Sequence, residues 1–314
     1  MCPSTVILGR EFGERLSKLH ATLVSESCFP LNFESAVGQV LKDELRGQHS
    51  FNRKDGHRIA LAAAFDEFAV AHELCHALMS AREFPHVGPT SEQDTVLVRL
   101  GPLLRNSLTH KTVKEYLTQF GYRKENSHHY RQLRRGIVGA LDRLNPTQAR
   151  AAEQDSLGEM KDGLSLLEFL VTGEMNTDLR VRLQKKWPRT LAIADGLLRA
   201  LDEFALDTQR GLRGGYVRLI REIVKHLGLL PTASRQILID PVLSPGKATD
   251  PAERLFVLER VDDEKGILLF VRSREDGGYC YCLRITEDEV GPWEERLAGL
   301  RAREFIESLE SAGT

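Results

Sequence analysis

Apolar residues recur at spacings of three and four from the first segment onward. Phe12, Leu16, Leu19 and Leu23 predict an amphipathic helix. Val37, Val40, Leu41 and Leu45 repeat the pattern and predict a second helix over Glu34 to Leu45, with Asn32 as its N-cap. GQHSFNRKDGH then reads as a turn or hairpin on its Asp55-Gly56 signal, and Arg58 to Ala62 as a short strand. From Asp66 to about Arg82 the period is helical again, with Asp66 suited to cap the helix and Glu67 to its first turn. Phe68, Ala69, His72, Cys75, His76 and Met79 are expected close to one side of it. A loop follows in which Thr90 or Ser91 would cap the next helix. That helix is expected to break or kink at Gly101-Pro102 and to end at Gly121. Another helix, basic at its start, stops at Asn145-Pro146.

The small, polar stretch TQARAAEQDSLGEMKDG marks a boundary, after which Leu164 to Leu230 is helical. Beyond Ser234, RQILIDPVL, RLFVLERVD, GILLFVRSR and YCYCLRIT read as four strands divided by turn residues such as Gly277-Gly278. Trp293, Leu297, Leu300, Phe305 and Leu309 are the apolar members of a closing helix. The expected fold class is α+β. A mainly helical N-terminal domain spans 1–150, a helical domain 160–230, and a small antiparallel β-rich domain with its terminal helix 234–314.

Composition changes this picture little. With 314 residues, 41% of them apolar, the chain is long enough for about two domains and a real core. A net charge of -2 excludes a strongly basic nucleic-acid binder on bulk charge. Five cysteines give no disulfide framework and favour a reducing compartment. The first residues lack a basic-then-apolar secretory pattern. The longest uncharged apolar run, Ile59 to Phe65, falls far short of the roughly 20 residues of a membrane helix. A cytoplasmic, soluble protein with no membrane partner is expected.

The chemistry concentrates at His72-Glu73-Leu74-Cys75-His76. Residues i and i+4 leave a helix on the same side, so both imidazoles can reach one ion. Glu73, offset by one residue, stands beside that ion, where it can take a proton from water rather than ligate. The flanks AVA and ALM are apolar, and two histidines and a glutamate among them are costly unless paired or liganded.

The run FDEFAVAHELCHALM resembles the active-site helix of the zincin metallopeptidases. FAVAHELCH in particular is similar to the V-x-A-H-E-x-x-H segments of the cytoplasmic ImmA/IrrE-type members. The resemblance covers Arg58 to Ala81 and implies Zn2+ held by His72 and His76, with Glu73 as general base. It departs from that family at Cys75, where Gly is usual, and in having no clean downstream Glu-bearing helix. No metzincin-type extension follows His76 either.

Catalytic zinc usually takes three protein ligands and keeps one open position. Four residues compete for the third place. His110 ranks first, in the middle of a long helix. Glu92 and Asp94, at the start of that helix, rank next and would give a two-His, one-carboxylate site; His86 in the preceding loop ranks last. Asn106, one turn before His110, is a candidate to orient it or to bind a substrate carbonyl. Tyr116, Tyr122, His128 and His129 are candidates to stabilise an oxyanion.

Other motifs carry less. The alternating YCYC reads as a half-buried strand rather than a metal site, and Cys75 as packing. RQLRR, Arg131 to Arg135, is a small basic patch that leaves nucleic acid a weakly supported partner; GLRGG, Gly211 to Gly215, lacks the phosphate-loop pattern. The leading reading is a zinc metallopeptidase that cleaves a specific protein partner. The alternative is a catalytically silent or regulatory zincin-like scaffold that binds a protein partner, in a nucleic-acid-linked stress or defence response.

Overall fold

The computed structural model describes residues 5–36, 47–52, 55–90, 95–143, 156–239, 256–263 and 266–299. It divides into two compact units that are discontinuous in sequence. One comprises Met1–Phe84, Thr109–Gln154 and Leu166–Ala192; the other Pro85–Leu108, Asp155–Ser165 and Ile193–Thr314. The architecture is α+β. The motif helix lies in a mixed helix-and-strand segment, a largely helical stretch follows, and a small antiparallel sheet with a terminal helix closes the described chain.

In the first unit, β1 (Thr5–Ile7) and β2 (Arg10–Phe12) form a hairpin ahead of α1 (Glu14–Glu26). Leu16, Leu19 and Leu23 of α1 are fully buried, as their spacing predicts. A three-stranded sheet follows in the order β3 (Leu31–Ser35), β5 (Gly56–Leu61), β4 (Gly47–Asn52), with β3 parallel and β4 antiparallel to β5. The helix predicted over Glu34 to Leu45 is therefore corrected at its start. Asn32, Glu34 and Ser35 lie in β3, paired with Arg58, Ala60 and Leu61, because ladder partners far along the chain override the local period. The remainder of that helix lies outside the described residues.

The motif helix α2 (Glu67–Ala81) matches its prediction nearly to the residue. Asp66 caps it by accepting the Ala69 backbone N–H. Its burial is broader than a single side: Val70, Ala71, Glu73, Leu74, Cys75, His76, Ala77, Leu78 and Met79 are all buried. The small apolar residues around the motif let it pack on most faces.

The next long helix, α3 (Val96–Gln119), runs unbroken through Pro102. Its cap is Thr95, whose Oγ1 accepts the Val98 N–H; Thr90 instead donates to the Arg235 carbonyl. Ser91, Glu92 and Asp94 lie outside the described residues. Gly121 ends the helix as predicted. Its φ of +87° lets the Gly121 N–H reach the Thr118 carbonyl and the Tyr122 N–H that of Leu117, a paired closure that glycine adopts without strain. After α4 (Arg123–Arg143) comes α5 (Ser156–Val171), which already includes Ser156 to Gly163 of the stretch expected to be a polar boundary. Met160 within it is fully buried. Then come α6 (Thr177–Lys186) and α7 (Pro188–Ala200).

In the second unit, α8 (Gln209–His226) buries Leu212, Tyr216, Leu219 and Ile223. The GLRGG glycines serve packing: a Cβ at Gly211 would fall 2.0 Å from the Ala205 carbonyl oxygen. β6 (Val87–Pro89) pairs with β7 (Ile237–Ile239), so the first of the four predicted C-terminal strands leaves the sheet of the other three. β8 (Phe256–Asp263), β9 (Gly266–Ser273) and β10 (Tyr279–Ile285) form an antiparallel meander. Ile267, Leu269, Val271, Leu283 and Ile285 of this sheet pack with Trp293 of α9 (Glu287–Gly299). At the start of α9, Thr286 donates both its backbone N–H and its hydroxyl to Glu289 Oε2. The more distal predicted members of that helix, Leu300, Phe305 and Leu309, lie outside the described residues. Among the described residues, no helix is long and apolar enough to cross a membrane.

Candidate metal centre

His72 and His76 stand one turn apart on α2 with ring centroids 5.0 Å from each other. His110 enters from the middle of α3, its ring 5.0 Å from that of His72 and 5.3 Å from that of His76. Each histidine offers one nitrogen, and the three nitrogens lie within 4.8 Å of one another. Around a tetrahedral zinc with bonds of 2.0–2.1 Å, such nitrogens would stand about 3.4 Å apart, so small side-chain rotations close the set. The donor chemistry fits: three neutral, borderline-soft imidazoles, two of them in buried residues, are a set that zinc takes with a fourth position left open. Among the described residues this is the group of three metal-capable side chains. His86 belongs to the second unit and is not in it; Cys280 and Cys282 are not in it either.

Glu73 is 5% exposed and lies beside the two α2 histidines in sequence. It packs against the start of β4, where a Cβ on Gly47 would fall 2.8 Å from Glu73 Cγ and 3.2 Å from Leu61 Cδ2. Only a glycine leaves the Glu73 stem that space. Cys75 is fully buried, and burial, with the charge of Glu73, pushes its thiol well above the ordinary range. It packs, as its sequence position suggests.

His110 is held from behind. Its Nδ1 stands 2.8 Å from Glu168 Oε1 of α5, within hydrogen-bond reach, and the same oxygen accepts the Tyr130 hydroxyl of α4 at 3.2 Å. Burial raises the Glu168 pKa, but the electrostatic pull and hydrogen bond of the His110 ring, with the Tyr130 hydroxyl, outweigh it. The carboxyl stays below its usual range.

The four oxyanion candidates separate. Tyr122 is fully buried and donates to Glu67 Oε1 at 2.7 Å. Tyr116 lies under the Arg82 guanidinium at 4.8 Å, and His128 is exposed. His129, half-buried, has its ring 6.5 Å from that of His72 and 5.8 Å from that of Phe68.

Gly47, Glu168 and Tyr130 are the site residues that local pattern did not single out. Glu168 left one signal, a carboxylate in the apolar run LSLLEFLV. No protein-family model, curated protein or solved structure matches the chain. The His-Glu-x-x-His helix and the third histidine themselves classify it as a zinc-dependent metallopeptidase with a zincin-type donor set.

Proposed function

We propose that His72, His76 and His110 hold the zinc, that Glu73 is the general base, and that the enzyme hydrolyses a peptide bond in a specific protein partner. The observation that carries this reading is the three-histidine group with Glu73 on the same helix as two of its members. Zinc, when bound, supplies a Lewis acid that lowers the pKa of water toward neutrality and polarises a carbonyl. Glu73 takes a proton from the attacking water as its oxygen bonds to the carbonyl carbon. It then delivers that proton to the amine nitrogen as the C–N bond breaks, leaving a carboxylic acid and an amine, which ionise to carboxylate and ammonium by proton transfer between them. His129, beside His72, donates an N–H to the oxyanion that develops in between.

The FAVAHELCH segment supports a finer placement beside the ImmA/IrrE-type peptidases, with a histidine where those relatives use a carboxylate as third ligand. The four cysteines among the described residues are free thiols, which fits a cytoplasmic enzyme.

The test has two parts. Protein purified without added metal should carry one zinc per chain by elemental analysis. In cells, mass spectrometry of new protein N-termini should find cleavage products with the wild type and none with Glu73→Gln, whose zinc content stays intact. Absence of zinc even after reconstitution, or the same new termini with E73Q, would overturn the proposal.

A further inference from the structure

We infer that Glu168 is the positioning residue of the third ligand, fixing His110 as the tautomer whose Nδ1 carries the proton and whose Nε2 is bare toward the metal. This rests on the proposal that His72, His76 and His110 hold zinc.

An imidazole has one nitrogen to spend on a metal, and the partner of its other nitrogen decides which one that is. In His110 the Nδ1 is engaged by Glu168 Oε1 at 2.8 Å, so Nε2 is the atom left to face His72 and His76. A carboxylate in that place also makes the ring a better donor, because negative charge behind Nδ1 raises the basicity of Nε2.

Nothing in the packing of α5 calls for a charge at this position. Its neighbours Leu166, Leu167 and Phe169 are 2%, 0% and 4% exposed, and the Glu168 side chain itself is 17% exposed. An apolar residue would be cheaper unless the carboxylate's acceptor sites are filled. One of its oxygens, Oε1, takes two partners from two other helices, His110 of α3 and Tyr130 of α4, the latter 3% exposed.

The end of α5 is also clamped. Lys114, one turn beyond His110, donates to the Thr172 carbonyl at 2.7 Å and to Glu174 at 2.6 Å. Arg134 of α4 reaches the other oxygen of Glu174 at 3.2 Å. The Thr172 hydroxyl folds back on the Glu168 carbonyl at 2.7 Å. The rotation of α5 about its axis, and with it the height of Glu168 behind His110, is thus set by contacts outside the metal group. That is the rigid support a ligand needs to be held in productive geometry.

The experiment measures zinc affinity by chelator competition on the full chain, with ¹⁵N NMR of the histidine rings in the metal-free protein. Glu168→Ala removes both charge and acceptor and should weaken zinc roughly 10–100-fold while stoichiometry stays at one. Its His110 proton should move to Nε2. Glu168→Gln keeps an acceptor and should keep the Nδ1–H tautomer, with affinity falling about tenfold from the lost charge. If E168A does not fold, E168Q and the wild-type tautomer carry the test. Zinc affinities within twofold of wild type in the folded Glu168 variants would overturn the inference, as would an Nε2–H tautomer in metal-free wild type. Its failure is distinguishable from failure of the site. If His110→Ala binds zinc as tightly as wild type, the three-histidine reading falls. If H110A loses zinc while the Glu168 variants do not, only the positioning role falls.

Discussion

Gly47 separates the two jobs of the motif helix. His72 and His76 are the proposed ligands and Glu73 the proposed proton carrier, and of the three it is Glu73 that a Cβ on Gly47 would crowd, 2.8 Å from its Cγ. Since Cγ is the stem of the side chain and not its tip, relief requires the carboxylate to move. A misplacement of about 1 Å in catalytic geometry costs on the order of 100-fold in rate. Gly47→Ala should therefore leave zinc content and affinity at the wild-type level and lower cleavage by roughly 10–100-fold, read on whichever substrate the N-terminal mapping yields. Undiminished cleavage would mean that Glu73 has room to spare and is not held there for catalysis. At this scale the sequence was informative wherever chemistry and helical period coincide. His72, Glu73 and His76 declare themselves by spacing, and His110 by being an imidazole in the middle of a buried helix. Gly47 does not, because its meaning depends on the register of β4 against β5, which places it opposite Leu61 and beside a helix that comes later in the chain. Glu168 lies 58 residues from its partner, and its separation hides it in the same way.

Elements with strong local signals were legible: α1 from its leucine spacing, α2 from its cap, and the end of α3 from Gly121. Those decided by pairing were not, as β3 illustrates. The C-terminal meander was readable as strands, but its polar bracing was not. Glu259 of β8 accepts from Tyr279 at 2.7 Å, from Arg235 at 2.8 Å and from Arg272 at 2.6 Å. Burial raises its pKa, but the hydrogen bonds of Tyr279 and Arg235 and the charge and hydrogen bond of Arg272 outweigh it, so the folded value lies below the ordinary 4.5. A carboxyl depressed on folding stabilises the fold fully above its unfolded pKa, and that contribution fades as pH falls through the folded one. The meander should thus lose stability from about pH 4.5 downward. Trp293 packs in its core and reports the transition by fluorescence in urea. Glu259→Gln should cost roughly 1–3 kcal/mol at pH 7 and flatten the acid dependence. An acid slope unchanged in E259Q would place the titration elsewhere.

Over the whole molecule, membership of the two units is set by long-range contacts that no local pattern encodes. The three histidines, Glu73 and Glu168 all fall in one of them, together with Trp187. An ion held by this folded unit and not by the unfolded chain must stabilise it by mass action. With free zinc at 100 times its dissociation constant the gain is about 2.7 kcal/mol. At about 2–4 °C per kcal/mol for a chain of 150–250 residues, this converts to a rise in Tm of roughly 5–10 °C. Removing the metal by dialysis against a chelator should lower the thermal transition seen by Trp187 fluorescence by that amount, and zinc should restore it in proportion to the logarithm of its free concentration. His110→Ala should start near the metal-free Tm and respond little to zinc, because two imidazoles on one helix bind far more weakly than three from two. Glu73→Gln should respond like the wild type, since its carboxylate is assigned to the proton and not to the ion. A Tm indifferent to verified loss of zinc would show that the ion is not bound by the folded unit. A wild-type response in H110A would remove α3 from the metal centre and return the third ligand to the residues just before it in sequence.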